Sequence, residues 1–113
     1  MRVAVKTSAG HYRLLDISDI FYLEGEGDDV LVRTAGGRPY RSVHRLDEWE
    51  RRSRALGFLR IHRSYIVNLA KVREVRVRSN DPNDWEVKLD RPVGAVLPVS
   101  RSHLAELRAA LEL

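Results

Sequence analysis

The 113 residues include no cysteine. Disulfides, thiolate chemistry and cysteine-based zinc sites are therefore excluded, and the absence fits a reducing compartment. Long apolar runs are missing too. None approaches the roughly 18 residues of a membrane-spanning helix. Arg2 and Lys6 interrupt Val3-Ala4-Val5, so the N-terminus does not read as a signal peptide. The expectation is a soluble, cytoplasmic domain with no membrane partner. The four histidines, His11, His44, His62 and His103, lack metal-ligand spacing. His62 lies two residues from Ser64, but no Gly-x-Ser-x-Gly elbow accompanies them. Gly25-x-Gly27 runs into an apolar, strand-like segment rather than a helix, so no phosphate-cradling loop is formed. Glu24, Glu26, Asp28 and Asp29 lack the Asp-x-Asp-x-Asp-Gly pattern of a calcium loop. Neither an enzyme, a metal site nor a cofactor site is expected.

What is present is arginine, unevenly placed. Net charge is +4, and seventeen of the twenty basic residues are Arg. Residues 38–78 carry twelve basic against four acidic side chains, while residues 1–37 and 79–113 each carry four against six. A basic middle between acidic flanks is the pattern of a polyanion-binding face. A solvated arginine-rich surface gives the same counts.

The length suits one domain, residues 1–113, with a core that needs no metal or disulfide. Short apolar or alternating runs separated by turn residues predict eight to ten strands. Ile20-Phe21-Tyr22-Leu23 is apolar throughout, as in a strand covered on both faces. Gly36-Gly37 predicts a tight turn, and Pro39 predicts an edge strand after it. Ser42 is positioned to cap a helix running to about Leu56, with Val43, Leu46 and Trp49 inward and Gly57 ending it. Val72, Val75 and Val77 fall out of phase, which predicts a bulge near Glu74. Ser100 starts a final helix with a Leu104, Leu107, Leu111 stripe that serves as core packing or as a dimer contact. Parallel βαβ alternation is absent. The expected class is mostly β, in short antiparallel sheets with one mid-chain helix and a C-terminal helix.

The most informative stretch is Phe58 to Leu69. Phe58, Leu59 and Ile61, then Tyr65, Ile66, Val67 and Leu69, want a core. Arg60, His62, Arg63 and Ser64 between them cannot be buried without partners, because an unpaired buried charge costs several kcal/mol. A strand, a tight turn at His62-Arg63-Ser64 and a returning strand reconcile the two demands. Arg63 then projects from a rigid mount, as does Arg101 at a helix start. Arginine reads guanine through O6 and N7, and serine hydroxyls and helix N-termini suit phosphates.

Phe58-x-Arg60-Ile61-His62-Arg63-Ser64-Tyr65-Ile66-Val67-Asn68-Leu69 resembles the signature of the LytTR DNA-binding domain. Pro98-Val99-Ser100-Arg101 and Asp19-Ile20-x-Tyr22-Leu23-Glu24 resemble two further motifs of that family, in the same order and spacing. The resemblance implies a β-β-β sandwich with small helices, and sequence-specific binding of double-stranded DNA in bacterial transcription regulation. It implies loops in successive major grooves, paired binding to direct repeats with DNA bending, and a homodimer on DNA. It also implies an upstream sensory or receiver domain, as in two-component response regulators. By motif, Arg63 and Arg101 take base-contact positions. Asp29 lies in the loop that supplies a third contact in some members. Asp28 and Asp29 depart from the Asn-Tyr or basic residues common there, so the loop contributes less affinity or makes a different base choice. Arg60, His62, Ser64, Lys71, Ser100, Ser102 and His103 are assigned to the DNA backbone, although strand alternation also lets Arg60 face a carboxylate at the core edge. Arg41, Arg73 and Arg76 are further backbone candidates. The alternative is a β-rich protein- or RNA-interaction module. Aromatics on an exposed sheet would favour RNA, but Tyr12, Tyr22, Tyr40 and Tyr65 are expected to be mostly buried.

Overall fold

A computed structural model describes residues 1–113. β1 (Arg2–Ser8) and β2 (His11–Asp16) form a hairpin, and a 3-10 turn at Ile17–Asp19 leads to β3 (Ile20–Glu26) and β4 (Asp29–Thr34). A short strand, β5 (Tyr40–Ser42), precedes helix α1 (Leu46–Ser53) and a second 3-10 turn at Arg54–Leu56. β6 (Phe58–His62) and β7 (Tyr65–Asn68) follow, then a third 3-10 turn at Leu69–Lys71. β8 (Val72–Val77), β9 (Trp85–Leu89), β10 (Val96–Val99) and helix α2 (Arg101–Ala110) complete the chain. No helix is long and apolar enough to cross a membrane.

All strand pairs are antiparallel. One sheet has seven strands in the order β2-β1-β5-β4-β3-β7-β6, and the other has three, β10-β9-β8. The mostly β class holds, and β5 joins the β1–β2 hairpin to β4 within the larger sheet. Tyr40–Ser42 is an inner strand, bonded to β1 on one side and β4 on the other. The expected edge strand is thus corrected. Pro39 lies just outside the ladder, where its missing N–H costs no hydrogen bond.

The larger sheet is covered on both faces along β3, β6 and β7. Phe21, Tyr22, Leu59, Ile61 and Val67 pack against Val87, Leu89, Leu97 and Val99 of the smaller sheet and against Leu104 and Leu107 of α2. Ile20, Leu23, Val30, Val32, Phe58 and Ile66 pack on the other face with Leu46 and Trp49 of α1. This arrangement accounts for the unbroken run at Ile20 to Leu23. Ile20 pairs with Thr34 and Tyr22 with Arg33, so Phe21 is an extra residue on β3. That bulge turns Phe21 and Tyr22 into one core while Ile20 and Leu23 serve the other. The β8 bulge expected near Glu74 is present between Val72 and Glu74.

Two expectations about the helices change. α1 starts at Leu46, and Ser42 ends β5 instead of capping a longer helix. The Ser42 hydroxyl accepts from the His44 N–H at 2.9 Å and from the Trp49 indole N–H at 2.6 Å, which positions the helix without capping it. Val43 is exposed. In α2, Leu104 and Leu107 are buried, at about 1.5–3 kcal/mol each, and Leu111 packs against the same core. The stripe is core, and is not available for a dimer contact.

Asn68 ties the end of β7 to its surroundings. Its buried side chain donates to the Ile20 carbonyl at 2.9 Å and accepts from the Ala70 N–H at 3.1 Å. Asn68→Ala should destabilise the fold by about 1–3 kcal/mol, because it strands two backbone groups. Urea unfolding measures this, and a loss near zero would mean that water replaces the amide.

Candidate nucleic-acid interface

β6 and β7 meet in a tight turn at Arg63-Ser64, and His62 still pairs with Tyr65. The turn is one residue shorter than the three-residue tip expected. Arg60 pairs with Ile66 and His62 with Tyr65, so Ile61 is a bulged extra residue. Four successive carbonyls at this tip accept hydrogen bonds from elsewhere. Ser100 N–H donates to Ile61 at 2.9 Å, and Gly25 N–H donates to Ser64 at 2.8 Å. The Arg60 guanidinium donates through Nε to the His62 carbonyl at 3.2 Å and through Nη2 to that of Arg63. These bonds attach the β3–β4 hairpin and the β10–α2 junction to the tip.

Arg60 is anchored in turn by α1. Its Nη1 donates to Asp47 at 2.7 Å and to Glu50 at 3.2 Å, and its side chain is only 14% exposed. This ion pair and hydrogen bond hold the Asp47 carboxyl below its usual pKa. With every guanidinium nitrogen engaged, Arg60 is a brace for the tip and is poorly placed to bind phosphate. Arg63 is exposed and its guanidinium takes part in no ion pair or hydrogen bond of the fold. It is a cation held out on a fixed turn. Ser64 is half-buried beside it, and its N–H donates to His62 Nδ1 at 3.1 Å. That bond fixes the neutral His62 ring with its hydrogen on Nε2. The ring also packs on Tyr65, centroids 5.4 Å apart.

The β3–β4 turn is held next to the tip by the Gly25 N–H bond to Ser64, and Gly25 leaves room for the Leu46 side chain of α1. A Cβ there would stand 3.3 Å from Leu46 Cδ2 and 3.9 Å from the Ser64 backbone. Gly27, at φ +61°, leads into Asp28 as a two-residue turn that favours glycine in its first place. The two acids are matched by arginines: Asp29 pairs with Arg41, and Asp28 lies 3.9 Å from Arg45. The arginines offset part of the phosphate repulsion expected of the two carboxylates, while Glu26 has no such partner. These exposed pairs add little stability. Asp29 lies on the same end of the molecule as Arg63, and both line one open pocket with Arg45, Asp47 and Arg60.

At the third loop, Ser100 holds the N-cap position of α2 with an extended backbone. Its hydroxyl bonds His103 Nδ1 at 2.5 Å and lies 3.3 Å from the Ser102 hydroxyl. Ser100, Ser102 and His103 thus form one polar cluster at the positive end of the α2 dipole. Arg101 is exposed, and its Nη2 pairs with the Asp81 carboxylate. The β8–β9 loop that carries Asp81 read only as a connection in the sequence. A hydrogen-bonding side chain at the head of a tight loop was the one available signal, and nothing pointed it to Arg101.

Of the ten predicted residues, Arg63, Ser64, His62, Asp29, Ser100, Arg101, Ser102 and His103 come together at this end, braced by Arg60. Lys71 does not. It follows β7 at the end remote from the tip, and its ammonium sits 4.9 Å above the buried Phe21 ring. This placement sets Lys71 apart from the other residues assigned to the DNA backbone. Arg76 pairs with Glu86, and Arg73 is exposed on β8 of the smaller sheet. The expectation that four tyrosines are mostly buried also needs correction: Tyr22 is buried and Tyr40 and Tyr65 are half-buried, whereas Tyr12 is 61% exposed. Tyr12 sits on the outer strand β2, apart from the tip, so it forms no stacking platform beside Arg63.

Burial, followed by the charges of Arg63, His103 and Arg60, holds the His62 imidazole below its ordinary pKa. The folded state therefore favours neutral His62. That contribution is complete above the unfolded value near 6.5 and declines as pH falls below it. His62→Asn keeps an acceptor for the Ser64 N–H but does not titrate. Urea unfolding should show the wild type losing stability from pH 7 to pH 5 more steeply than this variant. Equal slopes would remove His62 from the pH response.

The LytTr DNA-binding domain family model matches residues 10–112 of the chain. The chain is 37% identical over 97 residues to the CO-responsive transcriptional regulator RcoM of Rhodospirillum rubrum, covering 86% of this chain and 39% of that protein. It is 32% identical over 106 residues to the transcriptional regulatory protein BtsR of Escherichia coli, covering 92% and 41%. The chain thus spans about two-fifths of the length of these relatives. Among solved structures, a LytTr DNA-binding domain from Bacillus cereus superposes with a TM-score of 0.83 at 23% identity, covering 99% of this chain and 97% of that one. This likeness concerns the fold.

Proposed function

The chain belongs to the LytTr DNA-binding domain family, whose work is DNA binding in transcription regulation, and we propose that it reads duplex DNA with loops rather than with a helix. The observation that carries this reading is the unpaired Arg63, presented on a turn whose carbonyls are bonded to two neighbouring loops. Arg63 and Arg101 each read a base in adjacent major grooves. An exposed guanidinium carried on a braced backbone is well suited to guanine O6 and N7. Asp29 is the third base contact, through its carboxylate to a cytosine amino group, once Arg41 shifts toward phosphate. Ser64, Ser100, Ser102 and His103 hold the sugar-phosphate backbone together with the first N–H groups of α2. His62 and Arg60 position the tip.

Two copies bind a direct repeat and bend the duplex, so that both sets of loops engage. In the whole protein a sensory or receiver domain supplies the input. The relatives named as a CO-responsive regulator and a transcriptional regulatory protein are more than twice as long as this chain, which leaves room for such a domain there. A protein- or RNA-interaction module has less support, since no exposed aromatic side chain flanks Arg63.

Selection of bound duplexes from a random pool tests the reading. A repeated half-site about one helical turn apart is the expected product. Arg63→Ala and Arg101→Ala should each cost about 1–3 kcal/mol and relax preference at one base pair. A loss equal across all sequences would move that residue to phosphate binding. Log affinity should fall with log salt by roughly 0.9 per phosphate neutralised, and a flat salt response would refute DNA binding.

A further inference from the structure

We infer that Asp81 is a positioning residue for Arg101 and sharpens the base preference of that side chain. The inference rests on the reading of Arg101 as a base contact. Arg101 and Asp81 come from different elements, the start of α2 and the β8–β9 loop, and their side chains pair across that gap.

Each partner is fixed independently. Arg101 follows Ser100, whose N–H is bonded to Ile61 at the tip. Asp81 accepts the Asn83 N–H on its Oδ1 at 2.9 Å, which leaves Oδ2 for Arg101. Its own N–H donates to Ser79 Oγ at 3.1 Å, and its carbonyl accepts from the Asp84 N–H at 3.0 Å. The loop ends are clamped by Arg78, whose N–H bonds the Asp84 carbonyl at 2.9 Å and whose Nε bonds the Asp84 carboxylate at 2.6 Å. Indole Nε1 of Trp85 donates to the Pro82 carbonyl at 2.7 Å. The Asp81 carboxylate is therefore a built-in fixture of the loop, unlike the mobile acid of an ordinary surface pair.

The chemistry of the pair suits base reading. A guanidinium offers two forks of paired N–H groups, and both forks use Nη2. Asp81 takes one Nη2 hydrogen, so one complete fork remains for guanine O6 and N7. The Arg101 side chain is 70% exposed even when paired. Holding a rotamer-rich side chain in place before DNA arrives lowers the ordering cost of binding. It also limits the neighbouring base pairs that Arg101 can reach. Against this, a carboxylate near the duplex repels phosphates. Asp81 should thus raise discrimination while slightly weakening binding to unrelated sequences. A surface ion pair that merely competes with DNA would raise no discrimination.

The test uses the full chain and the best duplex recovered from the random pool, with a panel carrying each single base-pair change. Binding is measured at one salt concentration for the wild type, Asp81→Asn, Arg101→Ala and the double variant. Asn keeps the acceptor for the Asn83 N–H, so the loop retains its shape. Arg101→Ala should flatten preference at one base pair. Asp81→Asn should reduce preference at that same pair by roughly two- to tenfold, with unchanged or tighter binding to unrelated duplexes. In the Arg101→Ala background the Asp81 change should have no further effect on preference. If Arg101→Ala flattens that pair while Asp81→Asn leaves it intact, or tightens all duplexes equally, the positioning role is overturned and the reading of Arg101 stands. If Arg101→Ala leaves every preference unchanged, both fall.

Discussion

The four carbonyls from Ile61 to Ser64 are the constraint on which the geometry of the tip depends. A β-turn normally leaves such groups to water, and a water-exposed turn is mobile. Here each oxygen accepts from a donor outside the turn: Ser100, Arg60 twice, and Gly25. The bulge at Ile61 matters because it takes that residue out of the paired ladder with β7 while its carbonyl meets Ser100. Arg60 matters because one planar guanidinium reaches two successive carbonyls and two carboxylates of α1. Both cores lie directly behind, Ile61 in one and Ile66 in the other. The tip is rigid because packing fixes its stems and hydrogen bonds fix its crown.

Charge is organised by the same folding. The arginine-rich middle of the chain is not a uniform positive surface. Acids from both flanks fold back on it: Asp29 onto Arg41, Asp84 onto Arg78, Glu86 onto Arg76 and Glu106 onto Arg54. These pairs do little for stability in water. Their effect is to remove cations from general circulation, so that Arg63 stands out as the uncommitted one at the tip. Specific recognition profits from this, since a surface of free arginines binds any duplex through its phosphates.

Much of the fold was legible because its signals are local. Alternation located the strands, Gly57 the end of the mid-chain helical segment, and the phase slip at Val72 to Val75 the bulge. Non-local effects were not legible. Ser42 looks like a helix cap until Trp49 is seen to take its hydroxyl. Pro39 suggests an edge strand until β1 is seen alongside β5. Lys71 follows the central motif closely in sequence, yet the direction of β7 carries it away from the tip and over Phe21. Arg60 had two readings, phosphate or carboxylate, and only the placement of α1 beside β6 favours the carboxylates.

By itself the sequence determined the antiparallel β character, the apolar anchors around a short charged turn, and the identity of the projecting residues Arg63 and Arg101. Those follow from period, turn chemistry and the cost of burying charge, all of which act over a few residues. The tertiary structure decided which of the basic side chains are free and which are braces. That depends on partners brought in from other elements, such as Asp81 for Arg101 and the α1 carboxylates Asp47 and Glu50 for Arg60. A side chain's charge is fixed by its chemistry, but whether it is available to DNA is fixed by what the fold brings within hydrogen-bonding reach.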